Sequence, residues 1–110
     1  MTIDELIHES HETARDRGWW DNPDRNFGEQ IALMHSELTE ALEEYRRDGI
    51  SNMISVGERG KPEGIAVEFA DVFIRLADTC GRYDIPLTQA IKAKLAFNKT
   101  RPHRHGNKLA

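Results

Sequence analysis

The segment that most constrains the fold is "IAVEFADVFIRLADTC", residues 65–80. Its pattern is helical, and at about 100° per residue its polar side chains fall within an arc of roughly 80°. A helix that is apolar on so much of its circumference must be covered on several sides, which a layer of three other helices cannot easily provide. We therefore predict that a second chain packs on it. The wide apolar face comprises Ile65, Phe69, Val72, Phe73, Leu76 and Cys80.

The remainder of the chain also predicts helices. Thr2 followed by Glu5, and Asn26 followed by Glu29, have the spacing of helix-opening caps, which places helices over residues 3–17 and 27–47. Pro62 suits the first turn of the third helix, which Gly81 would end, and Pro86 suits the start of the fourth, which ends by residue 101. We see no convincing strand alternation. The prediction is one all-α domain over residues 1–110, a four-helix bundle completed as a homodimer or homotetramer.

Composition excludes some classes of function. The chain has 15 Lys+Arg against 19 Asp+Glu and a formal net charge of -4, so it lacks the basic stripe that duplex nucleic acid requires. It also lacks a run of about 18 apolar residues and a signal-peptide pattern. We therefore predict a cytoplasmic protein that binds neither duplex nucleic acid nor a membrane. Cys80, which has no second cysteine to pair with, is expected to be a buried, inert thiol.

Carboxylates recur in pairs on the second and third helices. Glu37 with Glu40, and Glu68 with Asp71, stand three residues apart, which places the two members of each pair on one side of a helix. Glu44 follows one turn beyond Glu40 on the same flank. Such pairs are common on solvated helix surfaces. The second pair, however, lies on a mostly apolar helix, which favours convergence of the two pairs between the helices.

Four converging acids would repel one another and raise one another's pKa unless a cation neutralised them. Oxygen ligands favour a hard ion, so we expect Mg²⁺, with Mn²⁺ as the alternative.

The fourth helix carries residues suited to binding phosphate. Lys94, Asn98 and Arg101 recur on the side that bears Leu87 and Ile91, the side expected to face the bundle. The two cations would then be ligands for an anion beside the acids, with the arginine able to bind in a bidentate manner. Alternatively, their stems cover the edge of the core while their charges reach water.

Two further residues are candidates for contacting a nucleobase. Trp20, beside a turn, offers an indole for stacking, and Gln30, early in the second helix, offers an amide for hydrogen bonds. The alternative for Trp19 and Trp20 is that both only anchor the first helix on the second. The loop over residues 49–64 is either a lid over the site or an ordinary connection.

These residues carry a family resemblance. "SELTEALEE" followed by "EFADVFIRLADTCGRYDIPLTQAIKAKLAFNKTRP" resembles the MazG-type all-α nucleoside triphosphate pyrophosphohydrolases over about residues 27–102. One departure is Ser36, where the family often has a glutamate before the first metal ligand. The resemblance implies metal ligation by Glu37, Glu40, Glu68 and Asp71, and substrate binding by Lys94, Asn98 and Arg101.

The activity that the resemblance implies is magnesium-dependent hydrolysis of a nucleoside triphosphate to the monophosphate and pyrophosphate. A carboxylate near the metal would act as the base, and Glu40 and Glu44 are both candidates. Two other functions stay open: a phosphoribosyl-ATP pyrophosphohydrolase, which shares the helical core, and a non-catalytic helical dimerisation or regulatory module whose acids are only surface.

Overall fold

A computed structural model describes residues 1–102, and within them the chain is mostly helical. The remaining positions of the predicted domain, 103–110, lie outside the described residues. The helices are α1 (Ile3–Asp16), α2 (Phe27–Asp48), α3 (Ile65–Tyr83) and α4 (Leu87–Thr100). The all-α prediction is confirmed at this level. None of the helices within residues 1–102 combines the length and the apolar character that crossing a bilayer would need.

Caps fix the starts of the first two helices where the sequence predicts them. The Thr2 side chain accepts from the backbone N–H of Glu5, whose own side chain accepts from the N–H of Thr2, so a complete capping box is present. Asn26 likewise accepts from the N–H of Glu29. These bonds satisfy backbone donors that have no partner within the helix.

The predicted start of the third helix is wrong. Residues Ser55–Val56 (β1) and Pro62–Glu63 (β2) pair in a small antiparallel hairpin, so Pro62 lies in a strand rather than in the first helical turn. The helix begins at Ile65, after Gly64 with φ 131°, a backbone conformation that favours glycine. Two-residue strands are too short to show an alternating pattern, which is why no strand was predicted.

The predicted end of α3 is also early, because the helix continues through Gly81. A Cβ at this position would lie 2.7 Å from the Cβ of His11, so glycine permits close contact between α1 and α3. The helix ends at Tyr83, and Asp84 follows in a left-handed conformation with its N–H bonded to the carbonyl oxygen of Cys80.

Helix α3 forms the centre of the packing, with α1 and α2 against it. Residues Ala41, Ala77 and Cys80 are buried, and burial raises the pKa of the Cys80 thiol, as expected for an inert cysteine. Large apolar side chains on the predicted apolar face of α3 remain accessible in the single chain, among them Phe73 at 62%. Helix α4 packs mainly on α1, where Thr88 donates to Asp4 at 2.6 Å.

Candidate metal centre

Three of the predicted ligands meet between α2 and α3. Glu37, Glu40 and Glu68 each place a carboxylate oxygen within 4.8 Å of the other two. The i, i+3 spacing puts Glu37 and Glu40 on one side of α2, and packing of α3 against α2 brings Glu68 to them. Glu40 is exposed, whereas the other two are half-buried. The convergence of the two helices' acids therefore holds for three of the four predicted residues.

The fourth predicted ligand, Asp71, lies one turn beyond Glu68 on α3 and is half-buried. It is not part of the three-carboxylate group, but it is close enough to act electrostatically on Glu68. Asp71 and Glu37 also line the same cavity. Asp71 thus borders the group without joining it.

Glu68 is the electrostatically costly member of the group. Burial raises its pKa to about 7, the neighbouring Glu40 carboxylate contributes next, and the charges of Asp71 and Glu37 add to the rise. Its Oε2 atom is buried and has no hydrogen-bond partner. A buried acceptor without a donor is unfavourable. The atom therefore fits a cation, which would neutralise the group and complete the coordination of Oε2.

A basic residue that was not predicted as part of the site limits the repulsion. Arg75 Nη2 donates to Glu37 Oε1 at 3.2 Å, and the Arg75 guanidinium carbon lies 4.9 Å from the Trp19 ring centroid. Its Nε is buried without a partner. The sequence held a signal for it, since Arg75 falls on the same narrow polar arc of α3 as Glu68 and Asp71.

The two candidate bases differ in their surroundings. Glu40 belongs to the three-carboxylate group, whereas Glu44 lies outside it and pairs with Arg47. Glu44 borders a different cavity, between the end of α2 and the hairpin. Glu43, by contrast, is on the solvated side of α2, where it is exposed and pairs with Arg46 at 3.1 Å.

The predicted base contacts need correction. Gln30 is fully buried: its Oε1 accepts from Trp19 Nε1 at 3.0 Å and its Nε2 donates to Thr79 Oγ1 at 3.1 Å. A side chain with no accessible surface cannot meet a base edge, so the structure assigns Gln30 to the core. Trp20 Nε1 donates to Asp78 Oδ1 at 2.9 Å, with its ring edge-on to those of His11 and Tyr83. This fits the alternative of an anchor between helices.

The predicted phosphate ligands lie together, but they do not face the bundle as the helical-wheel projection predicted. Lys94, Asn98 and Arg101 line one concave surface at the end of α4. Lys94 and Asn98 are exposed instead of facing the bundle. Among residues 1–102, α4 makes only a small contact with α1, and its contacts with α2 and α3 are smaller still. The helical-wheel projection correctly predicted that the three residues share one face of α4, but not that Lys94 and Asn98 on this face are exposed.

The likeness to the MazG-type enzymes depends on the ExxE and ExxD pairs and on the basic end of the chain. The three-carboxylate group is compatible with that likeness, which stays a prediction. No protein-family model matches this chain, and no curated protein or solved structure matches it either.

Proposed function

We propose that the protein is a magnesium-dependent nucleoside triphosphate pyrophosphohydrolase of the MazG-like type. The observation that carries the proposal is the convergence of Glu37, Glu40 and Glu68, with a buried Glu68 oxygen that lacks a donor. A fold can hold such repulsion when a cation is part of the working state, and oxygen ligands favour Mg²⁺ or Mn²⁺. Control of a nucleotide pool in the cytoplasm is the matching cellular role.

The carboxylates of the site would have two roles, binding the metal ion and acting as the base. Glu37, Glu40 and Glu68 would hold the ion, and Asp71, which borders the group, would be a further ligand if it moved toward the ion. When bound, the ion would neutralise phosphate oxygens and favour ionisation of water. Glu40 is the better candidate for the base, because it is exposed and belongs to the group, whereas Glu44 pairs with Arg47. Water adds to phosphorus, the anhydride bond breaks, and the nucleoside monophosphate and pyrophosphate leave.

The basic residues of α4 would act on the phosphates. Lys94 supplies a point charge and Arg101 a planar fork of donors, both suited to the pyrophosphate that accumulates charge as it leaves. Asn98, on the same concave surface, would donate from its amide. The charges of these residues complement those of the acidic group.

We further propose a homodimer or homotetramer. Large apolar side chains on three helices are accessible in the single chain, and exposed apolar side chains in such number favour an interaction surface. Covering them would remove apolar surface from water, the main driving force for association. The exposed set includes Leu38 and Leu42 on α2, Phe69 and Phe73 on α3, and Leu95 and Phe97 on α4.

The test is release of pyrophosphate from a panel of ribo- and deoxyribonucleoside triphosphates, with Mg²⁺ and with chelator. We expect equimolar monophosphate and pyrophosphate only when the metal is present. Asp71→Asn and Glu68→Gln should each lower turnover strongly, whereas Glu43→Gln, on the solvated side of α2, should not. Metal-dependent turnover that survives both site substitutions would refute the assignment of the site. A complete absence of turnover would instead favour the non-catalytic module.

A further inference from the structure

A cavity of about 370 Å³ opens beside the acidic group, between α1, the turn at Trp19–Asp21 and α3. Glu37 and Asp71 line it, so it is continuous with the candidate metal centre. Its volume is in the range of sites that bind small molecules. Ser10, Trp19, Arg75 and Asp78 also contribute to its wall.

Asp78 brings an unused acceptor to this cavity. The residue is only 5% exposed, and its Oδ1 accepts two hydrogen bonds, from Trp20 Nε1 at 2.9 Å and from His11 Nδ1 at 2.8 Å. Both hydrogen bonds end at Oδ1, the residue lines the cavity, and 7% of its side chain is exposed. Oδ2 is thus the carboxylate oxygen that can take a donor from a ligand in this nearly buried position.

The positions of Asp71 and Asp78 along α3 suit a ligand with a phosphate at one end and a donor at the other. Seven residues separate them, which is two turns and about 10 Å along the same side of a helix. A nucleoside has a comparable length. Between them, the Arg75 side chain lines the cavity with 22% of its surface exposed, and its guanidinium can donate to a carbonyl oxygen of a base.

We propose that this cavity is the nucleobase subsite and that Asp78 selects bases with an exocyclic amino group over bases with a carbonyl there. This inference rests on the proposed function, which supplies the phosphate end. Cytosine and adenine carry the amino group, which can donate to the carboxylate oxygen. Uracil and thymine place a carbonyl oxygen at that position, so two acceptors would face each other at a site with little water.

Cytosine and uracil nucleotides form the sharpest pair for the test, since they differ mainly at this group. With Mg²⁺ present, we expect kcat/KM for CTP to exceed that for UTP by about 10-fold or more. Isothermal titration calorimetry with the products should likewise show that CMP binds more tightly than UMP. The binding measurement needs no turnover, so it reports on the subsite separately from the proposed reaction.

Asp78→Asn provides the reciprocal experiment. The amide oxygen can keep the hydrogen bonds from Trp20 and His11, which would oppose a flip that turned two donors toward each other. The amide nitrogen then faces the cavity as a donor, so the ratio of CTP to UTP should fall at least 10-fold and move toward UTP. Asp16→Asn, on the exposed end of α1, is the matched control and should leave the ratio unchanged.

The possible results separate the two proposals. Equal hydrolysis of CTP and UTP by the wild-type protein, with equal affinity for CMP and UMP, would overturn the subsite while leaving the reaction intact. Stronger binding of CMP without any turnover would support the subsite and refute the reaction. If Asp78→Asn does not fold by circular dichroism, the wild-type ratios alone decide.

Discussion

Glu68 is the residue at which stability and proposed function oppose each other. Its carboxylate is half-buried beside three other acids, and its pKa is raised to about 7. No packing argument requires an acid here, because an amide of the same shape would remove the repulsion. The electrostatic cost therefore has a physical reason only if a cation occupies the group.

Replacing Glu68 by glutamine should have opposite effects on activity and stability. We expect turnover to fall at least about 100-fold, since loss of even an indirect metal contact often costs 10- to 100-fold. The metal-free variant should melt at a higher temperature than wild type at pH 8, because one of the repelling charges is gone. Pyrophosphate release and thermal melts in chelator measure the two effects. The matched control Glu43→Gln should change neither, and a lower melting temperature for Glu68→Gln would contradict the electrostatic account.

The raised pKa of Glu68 also sets a pH dependence. The ordinary pKa of glutamate is 4.5, and that of Glu68 in the folded, metal-free protein is about 7. Between these two pH values the folded protein keeps a proton on Glu68 that the unfolded chain has lost. Stability from this group is therefore present at low pH and falls as the pH rises through about 7. Binding of Mg²⁺ must displace the proton, so the metal should raise the melting temperature more at pH 8 than at pH 5.5.

The measurement is a thermal melt in Mg²⁺ and in chelator at both pH values. At one hundred times Kd, a single bound ion stabilises by about 2.7 kcal/mol. An equal shift at both pH values would show that no proton is exchanged for the metal. In Glu68→Gln the pH dependence should be largely lost.

At the scale of elements, the contact between α1 and α3 depends on Gly81. Alanine is ordinarily favoured over glycine inside a helix by about 1 kcal/mol. Here its Cβ would lie 2.7 Å from the His11 Cβ and 3.0 Å from its Cγ, so one helix must shift. We expect the contact to outweigh the propensity and Gly81→Ala to destabilise the protein by about 1–3 kcal/mol in denaturant unfolding. A stabilised variant would show that the two helices separate easily.

Local signals account for the parts of the fold that were predicted well. The helix starts at Ile3 and Phe27 were predicted because caps act within three residues, and the acid pairs because i, i+3 spacing fixes a side of a helix. The start of α3 was predicted wrongly because a proline such as Pro62 suits a strand edge as well as a first helical turn. The role of Gln30 was missed because its partner Thr79 is 49 residues away, and the sequence left two roles open for Trp20 because its partner Asp78 is 58 residues away.

Helix α4 offers a matched comparison of its lysines. Lys94 shares a concave surface with Asn98 and Arg101, whereas Lys99, five residues further along, lies about 140° away around the helix. If the surface binds phosphate, Lys94→Ala should lower kcat/KM about 10-fold or more, the value of a charge-assisted hydrogen bond. Lys99→Ala should have little effect. Steady-state kinetics at fixed ionic strength distinguish the two, and equal small losses would indicate that both lysines act only as solvated charges.

At the scale of the whole molecule, the fully buried apolar core is small for the length of the chain. The buried residues include Ala41, Ala77 and Cys80, while aromatic side chains of α3 remain accessible. The apolar circumference of α3 in the sequence and the exposure of its side chains in the structure both favour the proposal that a second chain packs on this helix. Three helices of one chain leave part of α3 uncovered. If the proposed assembly covers it, stability should depend on protein concentration, as it does for obligate oligomers.

Phe73 is the best position to test the assembly, because 62% of it is exposed in one chain. Aspartate there costs little in a monomer but would bury a charge in an interface. Phe73→Asp should therefore shift the protein to a smaller species in light scattering and lower its melting temperature. Ser36→Asp adds the same charge on the solvated side of α2 and should leave the assembly intact. A wild-type protein that is monomeric at micromolar concentration would refute the prediction, since the exposed aromatic side chains would then need another partner.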